Sequence, residues 1–388
     1  MSSRETLYEH IYLHVPFCGR RCSYCDFAIA VRKQVPVSEF IDAIMAEMVT
    51  RKLNVTADSI KTLYLGGGTP SKLGGSGIRE LIQRITGPGG VDNSSTSSEA
   101  GALQGAEITI EVNPEDVTPE AVADWVQAGV NRVSMGVQSF DAGVLTWMHR
   151  GHSPEQAARA VGDLRAGGIQ DLSIDLIFAI PESLGRDWDR DLSLALELAP
   201  NHLSVYGLTI EPHTPLGRWT ARGEVTEAPE ERYEREFLRA HERITGAGFE
   251  HYEVSNYGLP GHRSGHNSSY WKGVPYLGLG PSAHGFDGRV RRWNRSAYAD
   301  WLEALGAGLD PQAGDEVIGP KERAAEEVYL GLRTVDGLPL HQNEWMVVTP
   351  WLEAGWGRRV GDRLALSPTG WLRLDAIAAS LTSHRSPS

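Results

Sequence analysis

Six short runs rich in β-branched and aromatic residues recur along the first part of the chain, at Glu9–Val15, Thr62–Leu65, Glu107–Val112, Arg132–Val137, Leu172–Phe178 and Leu203–Leu208. They read as strands. Between most of them the apolar positions repeat with helical period, in Ser38–Leu53, Ile78–Ile85, Pro119–Ala128, Pro154–Ala166 and Asp189–Leu198. Thr118-Pro119-Glu120 and Ser153-Pro154-Glu155 mark two helix starts. Each supplies a capping hydroxyl, a proline with its φ preset, and an acid at the positive end of the helix dipole. Strand and helix alternating in this way predict an α/β protein with a parallel sheet covered by helices. Periodicity alone does not separate a barrel from an open sheet.

The alternation stops near Glu211. A charged helix is expected over Glu230–Thr245, followed by aromatic-rich irregular segments to Trp293. From about Gly319 the stretches KERAAEEVYLGLRT and DRLALSPTGWLRLDAIAASL predict short helices and a small hairpin. The glycine- and serine-rich stretch Gly87–Gly105 reads as a flexible surface insertion, and the final SHRSPS as a disordered tail. The expected division is 1–225, 226–315 and 316–388.

Composition changes the picture in two ways. With 41% hydrophobic and 22% charged residues the chain has ample apolar area for a packed interior. Its formal charge of −13 argues against broad capture of nucleic acid or anionic lipid, leaving only local basic patches. No stretch reaches the length of a membrane span, and MSSRETLYEH lacks the apolar region of a signal peptide. A cytoplasmic protein without stable membrane insertion is the expectation.

The only three cysteines, Cys18, Cys22 and Cys25, fall within eight residues. Random placement would give this spacing with a probability of about 4 in 100,000, by counting positions. An odd trio is no disulfide framework and fits a reducing compartment. Thiolates so close together need a compensating cation or cluster. One reading is zinc completed by a fourth ligand, for which His14 is the local candidate. The other is an iron–sulfur cubane with three cysteine corners and one open iron, the kind of vacancy that binds and activates a small molecule.

The segment IYLHVPFCGRRCSYCDF resembles the radical S-adenosylmethionine (SAM) superfamily. The resemblance implies a partial (β/α)6 barrel and a [4Fe-4S] cluster whose open iron chelates SAM. It also implies an electron donor that reduces the cluster and cleavage of SAM to a 5'-deoxyadenosyl radical. Gly66-Gly67-Gly68-Thr69-Pro70 follows the second strand, where glycine lets backbone approach a ligand or simply makes a tight turn. Polar residues sit at the ends of later strands: Glu111, Gln138, Arg150 and Asp175. Such positions suit ligand contact, although each also fits helix capping or a solvated surface. By motif match the resemblance implies SAM contacts at Gly67, Gly68, Thr69, Glu111, Gln138, Arg150 and Asp175, with Tyr12 and Tyr24 nearby. Carboxylates suit ribose hydroxyls or the sulfonium, and the forked donors of arginine suit a carboxylate.

His266-Asn267-Ser268-Ser269-Tyr270-Trp271 concentrates an imidazole, an amide, a phenol and an indole. Imidazole and phenolate both ligate haem iron, and flat rings cover a porphyrin face; a loop of packed aromatics is the plainer reading. Arg289, Arg291, Arg292 and Arg295 surround Trp293 and suit either porphyrin propionates or a solvated face. H-N-x-x-Y-W resembles the signature of the HemW branch of haem chaperones, which implies haem contacts at His266, Asn267, Tyr270 and Trp271. The carboxy-terminal pattern resembles the mainly helical, winged-helix-like domain of the coproporphyrinogen oxidase group. That lineage includes HemN, the oxygen-independent coproporphyrinogen III oxidase of porphyrin biosynthesis. The HemN pattern has a further cysteine where this chain has Phe27, and a longer extension where seventeen residues precede Cys18. The expected function is therefore haem carriage to an acceptor protein, such as a respiratory cytochrome, with the oxidase as the alternative.

Overall fold

In the computed structural model, which describes residues 8–53, 55–87, 103 and 105–385, all six expected strands form. They are β1 (His10–Val15), β2 (Thr62–Gly67), β3 (Glu107–Val112), β4 (Arg132–Gln138), β5 (Asp171–Phe178) and β6 (His202–Gly207). The chain divides into two compact units. The first comprises 1–175, 209–226 and 275–316, and the second comprises 176–208, 227–274 and 317–388.

In the first unit the strand order is Leu277–Leu279, β1, β2, β3, β4 and β5. The pairings from Leu277–Leu279 through β4 are parallel. Ile11, Leu13 and Val15 of β1 are wholly buried, as expected of a strand covered on both faces. Helices Val37–Thr50, Gly74–Thr86, Pro119–Gln127 and Pro154–Ala166 alternate with these strands. Thr118 Oγ1 accepts a hydrogen bond from Ala121 N, and Ser153 forms a reciprocal capping box with Gln156. The two helix starts therefore lie where the sequence puts them. Gly74–Thr86 begins earlier than expected, because Gly74-Gly75-Ser76-Gly77 carries no apolar period. Gly75 and Gly77 are instead selected by space, since a Cβ there would strike Asp124 or Val37.

In the second unit, β6 pairs antiparallel with Asn256–Gly258, which pairs antiparallel with Glu250–Glu253. The charged helix spans Glu230–Gly246. Its Glu236 is buried and accepts from Ala179 N, Arg186 and Arg232 at 2.7–2.8 Å. The segment expected to be irregular thus contains strands and, at Gly265–Trp271, a helix. These elements are too short to impose a readable period. The carboxy-terminal region has helices Pro320–Arg333, Trp345–Glu353 and Leu374–Arg385 and a three-stranded antiparallel sheet, the winged-helix-like pattern expected.

The tail reading is corrected in part. Residues 383–385 continue a helix, and Arg385 pairs with the buried carboxylate of Glu344 at 2.7 Å. Residues 386–388 lie outside the described residues, as do 88–102 and 104 of the expected insertion. Among the described residues, no helix is long and apolar enough to cross a membrane.

Candidate functional site

The three cysteines occupy a loop fixed at both ends and in its middle. Phe17–Cys18 pairs parallel with Ala30–Val31, and Arg32 N donates to Cys18 O at 3.0 Å. Between them Ser23, wholly buried, donates its N–H to Met148 O and accepts from Leu216 N. The loop is thus held by backbone bonds from three parts of the first unit. No cysteine is in a disulfide. Cys18 Sγ lies 3.4 Å from Thr69 Oγ1, and Arg150 Nη1 donates to Cys22 Sγ at 3.5 Å. Burial pushes the Cys18 thiol up and the Cys25 thiol up to about 11. Buried thiols of this kind ionise against a compensating positive centre.

His14 does not offer itself as a fourth ligand. Its Nε2 bonds Ala28 O at 2.9 Å and its Nδ1 the Tyr12 hydroxyl at 3.1 Å, which commits the ring to closing the loop. Among the described residues, no group of three His, Cys, Asp or Glu side chains is arranged to hold a single metal ion. Three thiols with no further protein ligand at hand suit a cluster with one open iron better than a closed zinc site.

The strand-end residues gather around this loop. Arg150 Nη2 donates to Asn113 Oδ1 at 2.7 Å and to Gly136 O at 2.5 Å, and Asn113 Nδ2 donates to Thr69 Oγ1 at 3.3 Å. Cys18, Thr69, Asn113, Arg150 and Cys22 therefore form one continuous polar chain. Arg150 Nε is buried with no partner, a donor left for a ligand. The Arg150 charge is stabilised: burial opposes it, but Tyr24 and Cys22 outweigh burial and raise its pKa.

Glu111 accepts from the Tyr64 hydroxyl and from Gly67 N, both at 2.9 Å. Burial pushes its carboxyl up to about 7, and the charge of Asp175 adds to the effect. Asp175 accepts from Ser134 Oγ at 3.0 and 3.1 Å. Gln138 stands at φ 70°, a left-handed conformation that costs a non-glycine residue about 1–3 kcal/mol and is concentrated at functional sites. Gly67 has φ 107°, and a Cβ at Gly68 would lie 2.7 Å from the Pro16 carbonyl carbon. These two glycines thus serve the close approach of β1 and β2, while Thr69 carries the polar contact.

Tyr12 and Tyr64 share a register position and stack at 6.2 Å, and burial raises the Tyr12 and Tyr24 phenols. Asn113, Tyr64 and Ser134 went unread in the sequence. Asn113 had a usable signal, since it lies two residues beyond Glu111 along the chain at a strand end.

The H-N-x-x-Y-W residues belong to the second unit and form a helix, not a loop. Ser264 caps it by accepting from Asn267 N. His266 is only 1% exposed, and its Nε2 lies 2.8 Å from the Tyr270 hydroxyl one turn away. Trp271 lies under the Arg333 guanidinium at 4.2 Å, and Arg333 pairs with Glu253 at 2.8 Å. The arginines around Trp293 belong to the first unit. Arg291 lies 3.8 Å from Glu316 and Arg292 3.6 Å from Asp287, while Arg289 and Arg295 are exposed.

The radical SAM superfamily model matches residues 12–195. The haem chaperone HemW of Mycobacterium tuberculosis is 35% identical, over 96% of this chain and 94% of that protein. The HemW of Synechocystis sp. is also 35% identical, over 84% of this chain and 78% of that protein. Among solved structures, the coproporphyrinogen III oxidase HemN of Escherichia coli, a radical SAM enzyme, superposes with a TM-score of 0.75 at 20% identity. That match covers 97% of this chain and 90% of HemN, a likeness of fold. On sequence identity over nearly its whole length, the chain belongs to the haem chaperone HemW family of the radical SAM superfamily.

Proposed function

We propose that this chain binds haem and a SAM-coordinated [4Fe-4S] cluster, and that it transfers haem to an acceptor protein such as a respiratory cytochrome. Residues 1–225 carry the cluster and SAM in this reading, 226–315 the haem motif, and 316–388 a small domain. The observation that carries it is the polar chain from Cys18 through Thr69, Asn113 and Arg150 to Cys22, set among three thiols with no further cysteine in the sequence. When bound, the cluster supplies an open iron for the amino acid end of SAM and a site for one electron from a donor. Cys18, Cys22 and Cys25 would hold it.

The protein's own groups have distinct tasks. Arg150 neutralises negative charge beside Cys22 and offers Nε to a carboxylate. Glu111 and Asp175, with Gln138, present acceptors and an amide for ribose hydroxyls or a sulfonium, and Gly67, Gly68 and Thr69 keep backbone close. Burial keeps Tyr12, bonded to His14, and Tyr24, beside Arg150, as neutral phenols. Haem is cargo, held through His266 with Tyr270, Asn267 and Trp271 beside it. The three reduced thiols suit a cytoplasmic setting.

Anaerobic reconstitution followed by iron, sulfide and haem titration tests the reading. The expected product is brown, holds iron and sulfide, and binds haem; His266→Ala is expected to lose affinity and change the haem spectrum. Unchanged stoichiometry, affinity and spectrum would reject His266. With coproporphyrinogen III, SAM and reductant no decarboxylated product is expected. Its formation would turn the assignment to an oxidase.

A further inference from the structure

We infer that Arg333 is the residue that receives a carboxylate of haem, its guanidinium fixed in place by Trp271 and Glu253 beside the H-N-x-x-Y-W helix. The inference rests on the haem reading above and names the group that recognises a propionate, which that reading leaves without a partner.

The backbone sets Arg333 in position. It is the last residue of the helix Pro320–Arg333, and the chain beyond it joins a strand: Thr334 bridges Glu253 antiparallel, and Val335 N donates to Tyr252 O at 2.9 Å. Trp371 Nε1 donates to Leu332 O at 3.0 Å. The side chain is fixed as well. Its guanidinium carbon lies 4.2 Å from the centre of the Trp271 ring, and its Nε lies 2.8 Å from Oε2 of Glu253, a wholly buried carboxylate. A guanidinium covered by a ring on one face still donates along its edge. Among the described residues neither Nη atom has a hydrogen-bond partner, and 17% of the side chain is in solvent. The amino groups of the fork are thus held in place without an acceptor.

The motif helix has two faces. His266 and Tyr270 share one and bond each other, while Asn267 and Trp271, also one turn apart, share another. On that second face the Asn267 amide has no hydrogen-bond partner among the described residues, and Trp271 Nε1 is buried without one. Lys272, exposed, follows directly and offsets the charge of Glu253. A fixed fork, an amide and a cation together suit a carboxylate, and haem is a flat apolar ring carrying carboxylates. Arg289 and Arg295, the alternative partners, are exposed, where an arginine loses more side-chain freedom on binding.

The test titrates the anaerobically reconstituted full chain with haem and with haem dimethyl ester, whose propionates carry no charge. Wild type is expected to bind haem about tenfold more tightly than the ester. Arg333→Lys keeps a charge for Glu253 but loses the fork. It should bind haem several-fold more weakly, with an unchanged haem spectrum, and bind the ester as wild type does. Equal affinity of wild type for haem and ester would overturn the proposal. So would an Arg333→Lys protein that keeps the full preference for haem, or one that loses haem and ester alike, which would make the arginine structural. Loss of the preference in Arg289→Gln/Arg295→Gln instead would overturn it too, giving the propionates to the first unit. If His266→Ala leaves haem binding unchanged while Arg333→Lys weakens it, the reading of His266 as ligand fails and the carboxylate site stands. If wild type binds no haem, both fall.

Discussion

His266 Nε2 and the Tyr270 hydroxyl lie 2.8 Å apart, and their rings meet edge to face with centroids 5.0 Å apart. The imidazole proposed to hold haem iron is thus engaged by a phenol on its own helix face, so ligation through Nε2 must break this bond. A neutral hydrogen bond contributes about 1 kcal/mol, roughly a fivefold change in an equilibrium constant. Tyr270→Phe is therefore expected to bind haem about fivefold more tightly than wild type, with the same absorption spectrum. Loss of binding in that variant would identify the phenol as the ligand.

Arg150 connects Asn113, the Gly136 carbonyl and Cys22. Arg150→Leu strips the donors from two buried acceptors at about 1–3 kcal/mol each. A lower melting temperature and lower iron and sulfide after reconstitution are expected. Arg150→Lys should fall between, because an ammonium cannot reproduce the planar fork. Wild-type iron content in Arg150→Leu would remove this residue from the cluster's surroundings.

What the sequence revealed and what it hid follow from the range of the interactions. β1 reads as a strand because Ile11, Leu13 and Val15 are all fully buried, so composition alone marks it. The strands Glu250–Glu253 and Asn256–Gly258 bury the polar residues His251, Glu253 and Asn256, and Arg333, which pairs with Glu253, lies far along the chain. Local alternation carries no trace of such pairs. Glu111 and Arg150 were legible as polar residues at strand ends. Asn113 became meaningful only when the fold set it against Arg150 and Thr69. The four-residue spacing of His266 and Tyr270 carries information only once a helix is known to be there.

Glu111 should make stability depend on pH. Burial raises its carboxyl from the ordinary 4.5 to about 7 in the folded protein. Between those values the native state holds the proton more tightly than the unfolded chain, so stability falls as pH rises through that window. The expected loss is on the order of 1–3 kcal/mol, and Glu111→Gln should abolish it. Urea unfolding of both proteins at about pH 5 and about pH 8 measures the difference. A wild type as pH-dependent as the variant would contradict the raised pKa.

Glu47 fastens the Val37–Thr50 helix to the 277–301 segment. Its wholly buried carboxylate accepts from Arg51 and Asn294 at 2.7 Å and from Gly280 N and Trp301 Nε1 at 3.0 Å. Removing it leaves several donors unsatisfied and the Arg51 charge partly uncompensated. Glu47→Ala is expected to cost about 3–5 kcal/mol in urea unfolding. Hydrogen exchange should show the loss first at Leu277–Leu279, the strand that Gly280 follows. A cost below about 1 kcal/mol would mean the network adds little.

The second unit carries the opposite pH response at His251. Its ring stacks on Tyr257 at 3.9 Å, meets Trp371 edge-on at 4.5 Å and faces His241 Nδ1 at 3.0 Å. Burial pushes its pKa down from 6.5 to about 3, with His241 contributing in the same direction and the bond to Val254 O opposing. The unfolded chain therefore takes up the proton more readily across that range, and stability is lost as pH falls from about 6.5 toward 3. His251→Phe keeps an aromatic ring between Tyr257 and Trp371 but removes the titrating group. The variant is expected to be less stable than wild type near neutrality, having lost the Val254 bond, yet to lose less on acidification. Urea midpoints at about pH 7 and about pH 4.5 separate the two effects. An equal acid shift in both proteins would assign the sensitivity to other groups.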